Sequence, residues 1–336
     1  MDKDKLSNIA KKLVASHKGI LAADESNPTI KKRFDSIDIE STENNRRDYR
    51  ELLFSTKGIE DYISGIILYE ETLYQKSSKG QLLSELLQSK DVIPGIKVDK
   101  SAKDFIGFPG EKITEGLDGL YDRMKNFHDD GARFSKWRAV ITIGDQIPSA
   151  QCIELNAVLL ARYAITSQEA GLVPIVEPEV LRDGGHDIDR CYEVTEETLR
   201  EVFSQLVKQK VLLEGMLLKP SMVISGGSAV KRAGAEEVAE KTIECFKRSL
   251  PASVPGVVFL SGGEPDDSVT ENLNALNQGA DRLGAPWELS FSFGRSLQGE
   301  PLKTWVGKAE NIEAAATAFY TRARLTGAAR RGEYTS

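Results

Sequence analysis

Several charged residues of this sequence stand at the ends of short apolar runs, where buried strands would place them. Lys219 directly follows the run from Gly215 to Leu218. A buried ammonium group tends to release its proton, and the neutral amine that remains attacks carbonyl carbons. The iminium product withdraws electrons, so a neighbouring C–C bond can break. The sequence therefore predicts Schiff-base chemistry at Lys219, with no metal and no cofactor.

Three further charged residues supply what this chemistry requires. Lys136 is a cation that can tune the nucleophile, and Glu177 and Asp24 are carboxylates that can transfer protons. Each residue also has a structural interpretation, since a strand-end lysine is often solvated. Lys136 can form a structural ion pair, and Asp24 can cap the next helix. The residue types alone leave these alternatives open.

Positive charge is concentrated among the candidate site residues, although the whole chain carries a net charge of −7. The cations are Lys97, Lys136, Arg138, Lys219 and Arg295, and the anions are Asp24, Glu177 and Glu179. Glycines allow backbone N–H groups to approach an anion closely. Suitable glycines occur at 226–227, 262–263 and 294, the last beside Arg295. This pattern predicts a phosphorylated small-molecule ligand.

Eight apolar runs recur along the chain, with amphipathic stretches typical of helices between them. The runs are 19–23, 64–69, 93–98, 137–143, 173–176, 215–218, 257–260 and 289–293. Alternating strands and helices predict a parallel α/β fold, and eight units close a TIM (β/α)8 barrel. We expect residues 1–336 to form a single barrel domain with an N-terminal helical extension. Residues 327–336, beyond a last helix near 311–326, are expected to form a mobile C-terminal tail.

The barrel interpretation also predicts where the charged residues lie. Active-site groups of such barrels lie at the C-terminal ends of the strands. Asp24 ends the first predicted strand, Lys97 the third and Lys219 the sixth. Residues two apart on a strand share a face, so Lys136 and Arg138 are expected to point together, as are Glu177 and Glu179. Asp24 and Glu25 are adjacent, so only one of them is expected to enter the barrel.

The composition narrows the class of protein and its partners. The chain has 336 residues, of which 40% are hydrophobic and 28% charged, as in a globular protein with a large core. Its acidic balance disfavours nucleic acid and anionic membranes as partners. No apolar stretch approaches the roughly 18 residues that span a bilayer. Three separated cysteines and the lack of a secretory hydrophobic region predict a cytoplasmic protein.

Nine segments, in order along the chain, resemble class I, Schiff-base-forming fructose-1,6-bisphosphate aldolases. They begin at Leu21-Ala22-Ala23-Asp24-Glu25-Ser26, Asn45-Arg46-Arg47, Glu71-Thr72-Leu73-Tyr74-Gln75-Lys76, Gly95-Ile96-Lys97-Val98-Asp99-Lys100 and Lys136-Trp137-Arg138. They continue with Pro174-Ile175-Val176-Glu177-Pro178-Glu179, Leu217-Leu218-Lys219-Pro220, Phe259-Leu260-Ser261-Gly262-Gly263 and Ser292-Phe293-Gly294-Arg295. The resemblance runs from about residue 6 to residue 335. It implies a cytosolic homotetramer of glycolysis and gluconeogenesis that acts on sugar phosphates.

The resemblance also implies a role for each matching residue. Lys219 would form the Schiff base, and Glu177 would serve as the acid and base of carbinolamine dehydration. Asp24 would handle protons in C–C cleavage, while Lys136 would tune the site electrostatically. Glu179 stands with these catalytic candidates. The phosphate nearest the ketone would be bound by Ser261, Gly262, Gly263, Gly294 and Arg295. The distal end would be bound by Lys97, Arg138, Ser26, Thr29 and Lys32.

The sequence departs from the family pattern at two places. Animal members carry a longer tail whose terminal tyrosine assists proton exchange on the enamine. This sequence has Tyr334 in the matching region but no terminal tyrosine, so another group is expected to take that step, or the step to run slower. In addition, Asn27-Pro28-Thr29 replaces the common Thr-Gly-Ser. Pro28 lacks a backbone N–H, which puts one distal phosphate contact in question.

Other functions remain as alternatives. A transaldolase or a single-phosphate aldolase would use the same lysine chemistry, and a non-catalytic barrel could serve as a binding scaffold. A zinc-dependent aldolase is disfavoured because His17, His128 and His186 form no metal-binding pattern. The arginine pairs at 46–47 and 330–331 are expected to lie on solvated faces.

Overall fold

Eight parallel strands close into a barrel, which confirms the predicted TIM (β/α)8 architecture. We describe a computed structural model of the protein, and it covers residues 1–335. The barrel strands are β1 (Gly19–Ala23), β2 (Ile63–Leu68), β3 (Ile93–Lys97), β6 (Phe134–Ile141), β7 (Val173–Val180), β8 (Leu217–Leu218), β9 (Gly256–Phe259) and β10 (Glu288–Phe293). They follow the order β1-β10-β9-β8-β7-β6-β3-β2 around the barrel. The remaining two strands, β4 (Ala102–Asp104) and β5 (Lys112–Thr114), form a separate antiparallel hairpin.

Helices surround the barrel and cover its outer face. They are α1 (Lys3–Leu13), α2 (Asn27–Asp35), α3 (Glu43–Ser55), α4 (Glu70–Tyr74), α5 (Leu83–Gln88), α6 (Leu120–Asp129), α7 (Ala150–Glu169), α8 (Ile188–Lys208), α9 (Ala235–Ser249), α10 (Asp266–Leu283), α11 (Arg295–Trp305) and α12 (Ile312–Ala329). One large apolar cluster fills the layer between the strands and these helices. No helix of residues 1–335 is both long and apolar enough to cross a membrane.

The predicted N-terminal helix, α1, covers the N-terminal end of the barrel. The Asp2 side chain caps it by accepting a hydrogen bond from the Lys5 N–H at 3.0 Å. Its buried residues Leu6, Ala10 and Leu13 lie on one face because their spacing follows the helical repeat. They pack against apolar residues that point into the barrel, so this end is filled. The barrel interior is therefore closed at this end.

The strands differ from the sequence-based expectations in their ends and in one insertion. The fourth barrel strand, β6, begins at Phe134, and the fifth, β7, continues to Val180, so that Glu177 and Glu179 lie within a strand. The β4–β5 hairpin was not predicted, because its short segments carry no apolar run. One reason for the longer β7 is register, since each of its residues pairs with one of β6 from Phe134 to Ile141.

Two arginines expected on solvated faces are instead buried, and that expectation was wrong. Arg46 is 9% exposed and makes two hydrogen bonds to Glu71. Arg330 is 7% exposed and forms an ion pair with Glu288. Acidic partners supplied from other elements of the fold offset the cost of burial in both cases.

The segment expected to form a mobile tail begins inside α12, which extends to Ala329. Beyond the helix, the Gly332 carbonyl accepts a hydrogen bond from Gln278, and the Tyr334 N–H donates to Asn274, both at 2.9 Å. Ser336 lies outside the described residues. The mobility of residues 327–336 stays a prediction, as does the single-domain organisation of the chain.

Close packing in the barrel interior predicts that Gly95→Ala is destabilising. A Cβ atom at Gly95 would lie 2.3 Å from the ring of Phe134, which is fully buried. We expect the free energy of unfolding to fall by about 1–3 kcal/mol, measured by urea denaturation. The matched control is Gly299→Ala in α11, where the nearest atom lies 3.8 Å away. Equal stability of the two variants would contradict this account of the barrel interior.

Candidate active site

A cavity of about 560 Å³ opens at the C-terminal ends of the barrel strands. Every site residue predicted from the sequence lines this cavity except Gly263. The residues that line it are Lys219, Glu177, Asp24, Lys136, Glu179, Ser261, Gly262, Gly294, Arg295, Lys97, Arg138, Ser26, Thr29 and Lys32. The fold therefore brings together side chains from nearly the whole length of the chain.

Lys219 lies at the floor of the cavity, directly after β8. Its backbone N–H donates to the Val176 carbonyl of β7 at 2.8 Å, which places Lys219 beside Glu177. The Lys219 Nζ lies 3.2 Å from Glu177 Oε1, and the side chain is only 5% exposed. This lysine is therefore buried and next to a carboxylate, as Schiff-base chemistry requires.

Glu177 lies between two lysines. Its second oxygen, Oε2, is 3.3 Å from the Nζ of Lys136, which in turn lies 2.7 Å from Asp24 Oδ2. Lys136 and Glu177 are each 4% exposed. Two lysines and two acidic side chains therefore form one chain of contacts in the order Lys219, Glu177, Lys136 and Asp24. Proton acceptors lie on both sides of Lys136.

The Lys136–Asp24 pair at one end of this chain is held in its charged form. Burial alone would raise the pKa of Asp24, but Lys136, with contributions from Lys219 and Lys97, outweighs burial and holds that pKa well below its ordinary value. Burial alone would lower the pKa of Lys136, but Asp24 and Glu177 outweigh it and raise that pKa above its ordinary value. Asp24 is consequently a carboxylate and Lys136 an ammonium at neutral pH.

A second ion pair lies further along the same two strands. Arg138 of β6 contacts Glu179 of β7. Burial alone would lower the pKa of Arg138, but Glu179 outweighs burial and raises it. Both pairs of strand residues that were expected to point together line the cavity. Lys97 Nζ contacts Asp99 Oδ1 at 2.6 Å, which gives the neighbouring strand its own ion pair.

The glycine-rich turn after β9 forms one wall of the cavity. The N–H of Glu264 donates to the Ser261 carbonyl at 2.9 Å, and Gly262 and Gly263 between them have φ values of 55° and 80°. Positive φ at both positions favours glycine. Gly262 lines the cavity, whereas Gly263 does not, and a role of Gly263 in phosphate binding stays a prediction. A Cβ atom on Gly263 would lie 2.9 Å from Nη2 of Arg295, so this glycine lets the arginine lie against the turn.

Helix α2 also contributes to the cavity lining. Its N-terminal residues place Ser26, Thr29 and Lys32 at the cavity, with the two hydroxyls 3.1 Å apart. Pro28 lies in the first turn of the helix. Backbone N–H groups of a first turn have no partner within the helix, so proline is tolerated there. It still removes one potential donor to an anion.

Sequence reasoning missed several residues of the cavity. Glu25 lines it beside Asp24, and its carboxylate accepts a hydrogen bond from Gln298 of α11, whereas Asp24 contacts Lys136 of a barrel strand. Arg33 also lines it and contacts Glu25 Oε1 at 2.7 Å. The other polar residues that line it are Asp99, Ser292, Ser101 and Ser36. The position of Arg33, immediately after Lys32 in a helix at the cavity, was the available signal, but helix orientation could not be read locally.

The three histidines considered as zinc ligands lie away from this cavity. None of His17, His128 and His186 lines the cavity. Within residues 1–335, no group of three or more histidine, cysteine, aspartate or glutamate side chains is arranged to hold a metal ion.

A TIM barrel with a buried lysine, paired carboxylates and a cationic cavity mouth is the architecture of a Schiff-base-forming lyase. Comparisons with known proteins agree. The sequence pattern of the family described as fructose-bisphosphate aldolase class-I matches residues 5–336. A probable fructose-bisphosphate aldolase class 1 of Xanthomonas axonopodis pv. citri (strain 306) is 52% identical over 336 residues, covering 99% of both chains.

Similar proteins also occur among plant enzymes and solved structures. Fructose-bisphosphate aldolase 6, cytosolic, of Arabidopsis thaliana is 53% identical and covers 94% of this chain and 88% of its own. The structure of Plasmodium falciparum fructose-bisphosphate aldolase, in complex with TRAP and a small-molecule inhibitor, matches with a TM-score of 0.97. It is 46% identical and covers 99% of this chain and 96% of its own.

This chain belongs to the class-I fructose-bisphosphate aldolase family. Its activity is the reversible aldol cleavage of fructose 1,6-bisphosphate to dihydroxyacetone phosphate and glyceraldehyde 3-phosphate, a reaction of glycolysis. The lyase proceeds through a Schiff base, which is characteristic of class I.

The charge state of the buried pair predicts how Asp24→Asn changes stability with pH. Because the pKa of Asp24 is lowered in the folded protein, its stabilising effect is fully present above the ordinary value near ~3.9 and is lost as pH falls below it. We expect Asp24→Asn to lower the free energy of unfolding by about 2 kcal/mol at pH 7 and by clearly less at pH 3.

Urea denaturation at both pH values measures this difference. Asp35→Asn is the matched control, because Asp35 is half-exposed in a surface pair with Lys31 and should change stability little at either pH. A loss for Asp24→Asn that is as large at pH 3 as at pH 7 would refute the assigned charge state.

Proposed function

We propose that Lys219 is the nucleophile that forms the Schiff base with the substrate ketone. The observation that supports this most strongly is the position of Glu177, whose two oxygens lie 3.2 Å from Lys219 and 3.3 Å from Lys136. A lysine nucleophile must give up a proton before it attacks, and a carboxylate in contact with it can accept that proton. Lys136 is held as an ammonium by its acidic neighbours, so it is the weaker nucleophile of the two.

The proposed reaction begins with attack of the neutral Lys219 amine on the ketone carbon. The carbinolamine that forms must lose its hydroxyl group as water, and Glu177 donates the proton that makes this possible. The products of this step are the iminium ion and water. Glu177 is suited to both proton transfers because Lys136 stays beside it as a fixed positive charge.

We assign Asp24 the proton transfer of C–C cleavage. As a carboxylate, it can accept the proton of the substrate hydroxyl whose carbon becomes the aldehyde. The bonding electrons of the broken C–C bond pass into the iminium and give an enamine. Protonation of the enamine and hydrolysis then release dihydroxyacetone phosphate and return Lys219 as an amine. Tyr334 does not line the cavity, so another group takes the enamine step in our proposal.

The two phosphates of the substrate are proposed to bind to two different sets of cavity residues. Ser261, Gly262, Gly294 and Arg295 would bind the phosphate nearest the ketone. The distal phosphate would bind to Ser26, Thr29, Lys32, Lys97 and Arg138. Arg33, which follows Lys32 in α2 and also lines the cavity, is a further candidate cation for this second set. Arg138 and Glu179 also form a fixed ion pair, which holds the arginine in place.

We further propose that the protein is a cytoplasmic homotetramer that binds neither nucleic acid nor membrane. The support is the family membership, the cytosolic designation of the Arabidopsis relative and the net charge of −7. Light scattering in solution measures the mass of the assembly. A monomer would refute the tetramer.

Borohydride reduction in the presence of dihydroxyacetone phosphate tests the nucleophile. We expect a stable adduct on Lys219, located by peptide mapping, and no adduct in Lys219→Ala. Glu177→Gln should still form the adduct but about 100-fold more slowly, because general acid–base catalysis is lost. Lys103→Ala, an exposed lysine of the β4–β5 hairpin, is the control and should react normally. An adduct on another lysine, or none at all, would refute the assignment.

Substrates with one and two phosphates test the two proposed phosphate sites. Lys32→Ala should raise KM for fructose 1,6-bisphosphate about tenfold, the usual effect of losing a charged hydrogen bond, and leave KM for fructose 1-phosphate unchanged. Arg295→Ala should raise KM for both substrates, because the phosphate near the ketone is common to them. Steady-state kinetics measures these values. An equal effect of Lys32→Ala on both substrates would place Lys32 elsewhere.

A further inference from the structure

Three loops at the mouth of the barrel meet at one buried carboxylate outside the catalytic chain. Glu264 follows β9, Arg182 follows β7 and Arg232 follows β8. The Glu264 side chain is 4% exposed, and both arginines contact it. Arg232 Nη2 lies 2.6 Å from each oxygen of the carboxylate. We call these three residues the Arg182–Glu264–Arg232 cluster.

The cluster is joined directly to the glycine turn that forms one wall of the cavity. Arg182 Nη1 donates to the Gly263 carbonyl at 3.1 Å. The N–H of the same peptide group, on Glu264, donates to the Ser261 carbonyl at 2.9 Å. The peptide between Gly263 and Glu264 is thus held at both its carbonyl and its N–H. Within residues 1–335, the Gly262 N–H makes no hydrogen bond, and Gly262 lines the cavity, so this N–H is available to an anion.

The position of Arg182 is itself set by the neighbouring loops. The Gly227 N–H donates to the Arg182 carbonyl at 2.8 Å, and the Ser228 N–H donates to the Gly184 carbonyl at 2.9 Å. A Cβ atom on Gly227 would lie 3.4 Å from Cζ of Arg182, so the guanidinium group packs on this glycine. These contacts between the loops after β7 and β8 therefore set the position of Arg182.

We propose that the Arg182–Glu264–Arg232 cluster positions the Ser261–Gly263 turn for binding of the substrate phosphate. This inference rests on the proposed function, which assigns that turn to the phosphate nearest the ketone. Arg182, Glu264 and Arg232 act as positioning residues, because none of them lines the cavity. Their role is to keep the Gly262 N–H group and the Arg295 side chain in the arrangement that receives the anion.

Glu264→Gln separates positioning from simple electrostatics, because the two effects have opposite signs. The substitution removes one negative charge close to the phosphate site, so electrostatics alone would tighten binding of an anion. It also weakens both contacts to the arginines and loosens the turn, so positioning predicts weaker binding. We expect the concentration of dihydroxyacetone phosphate that half-saturates the borohydride-trapped adduct to rise roughly 5- to 20-fold. The amount of adduct at saturation should not change.

Unphosphorylated dihydroxyacetone is the matched substrate, since it uses the amine but not the phosphate turn. Its half-saturating concentration should be the same for Glu264→Gln and the unsubstituted protein. Glu271→Gln, an exposed carboxylate of α10 near the cluster, is the control variant and should leave both ketones unaffected. Arg232→Gln is the second test variant if Glu264→Gln does not fold, because the Arg232 side chain is more exposed than that of Arg182. It should weaken binding of dihydroxyacetone phosphate about two- to fivefold.

Three outcomes would overturn the proposal. They are tighter or unchanged binding of dihydroxyacetone phosphate by a folded Glu264→Gln variant, an equal loss for both ketones, or a fall in the saturating amount of adduct. A failure of the proposed function is distinguishable, because the unsubstituted protein would then form no adduct on Lys219 at all. Thermal melting of each variant establishes that it is folded before the comparison is made.

Discussion

The burial of two lysines around one carboxylate is the constraint on which the rest of this structure depends. Charges removed from water must be paired, and here Glu177 is shared between Lys219 and Lys136 while Asp24 completes the balance. The chain ends in Lys219, and its close carboxylate, Glu177, is the group proposed to exchange protons with it. The same four side chains therefore satisfy the pairing that burial requires and carry the proposed catalytic roles.

The barrel makes this arrangement possible because its strands converge at one end. Parallel strands carry their C-terminal residues to a common rim, so side chains distant in sequence become neighbours. Helix α1 fills the other end with apolar side chains, which leaves the rim as the place where polar groups can collect. Register refines the arrangement further, since Arg138 of β6 lies beside Glu177 of β7. The loops then add the residues proposed to bind phosphate.

Much of the fold was predictable because hydrophobic periodicity is a local property. The eight apolar runs correspond to the eight barrel strands, with ends displaced by a few residues where strand pairing extends them, as in β6 and β7. The β4–β5 hairpin escaped prediction because its residues are mostly exposed and carry no apolar signal. The burial of Arg46 and Arg330 escaped because their partners, Glu71 and Glu288, are supplied by other elements.

The amino-acid sequence alone was enough to predict the residue types of the site and their positions at strand ends, and its motifs indicated the family. Tertiary structure decided which of those charges touch. Residue spacing could not show that Glu25 lines the cavity beside Asp24 or that Gly263 lets Arg295 lie against the turn. It also could not show that Glu264 joins two arginines. The physical reason is that periodicity records which face of an element is buried, whereas contacts between loops exist only once the barrel has closed.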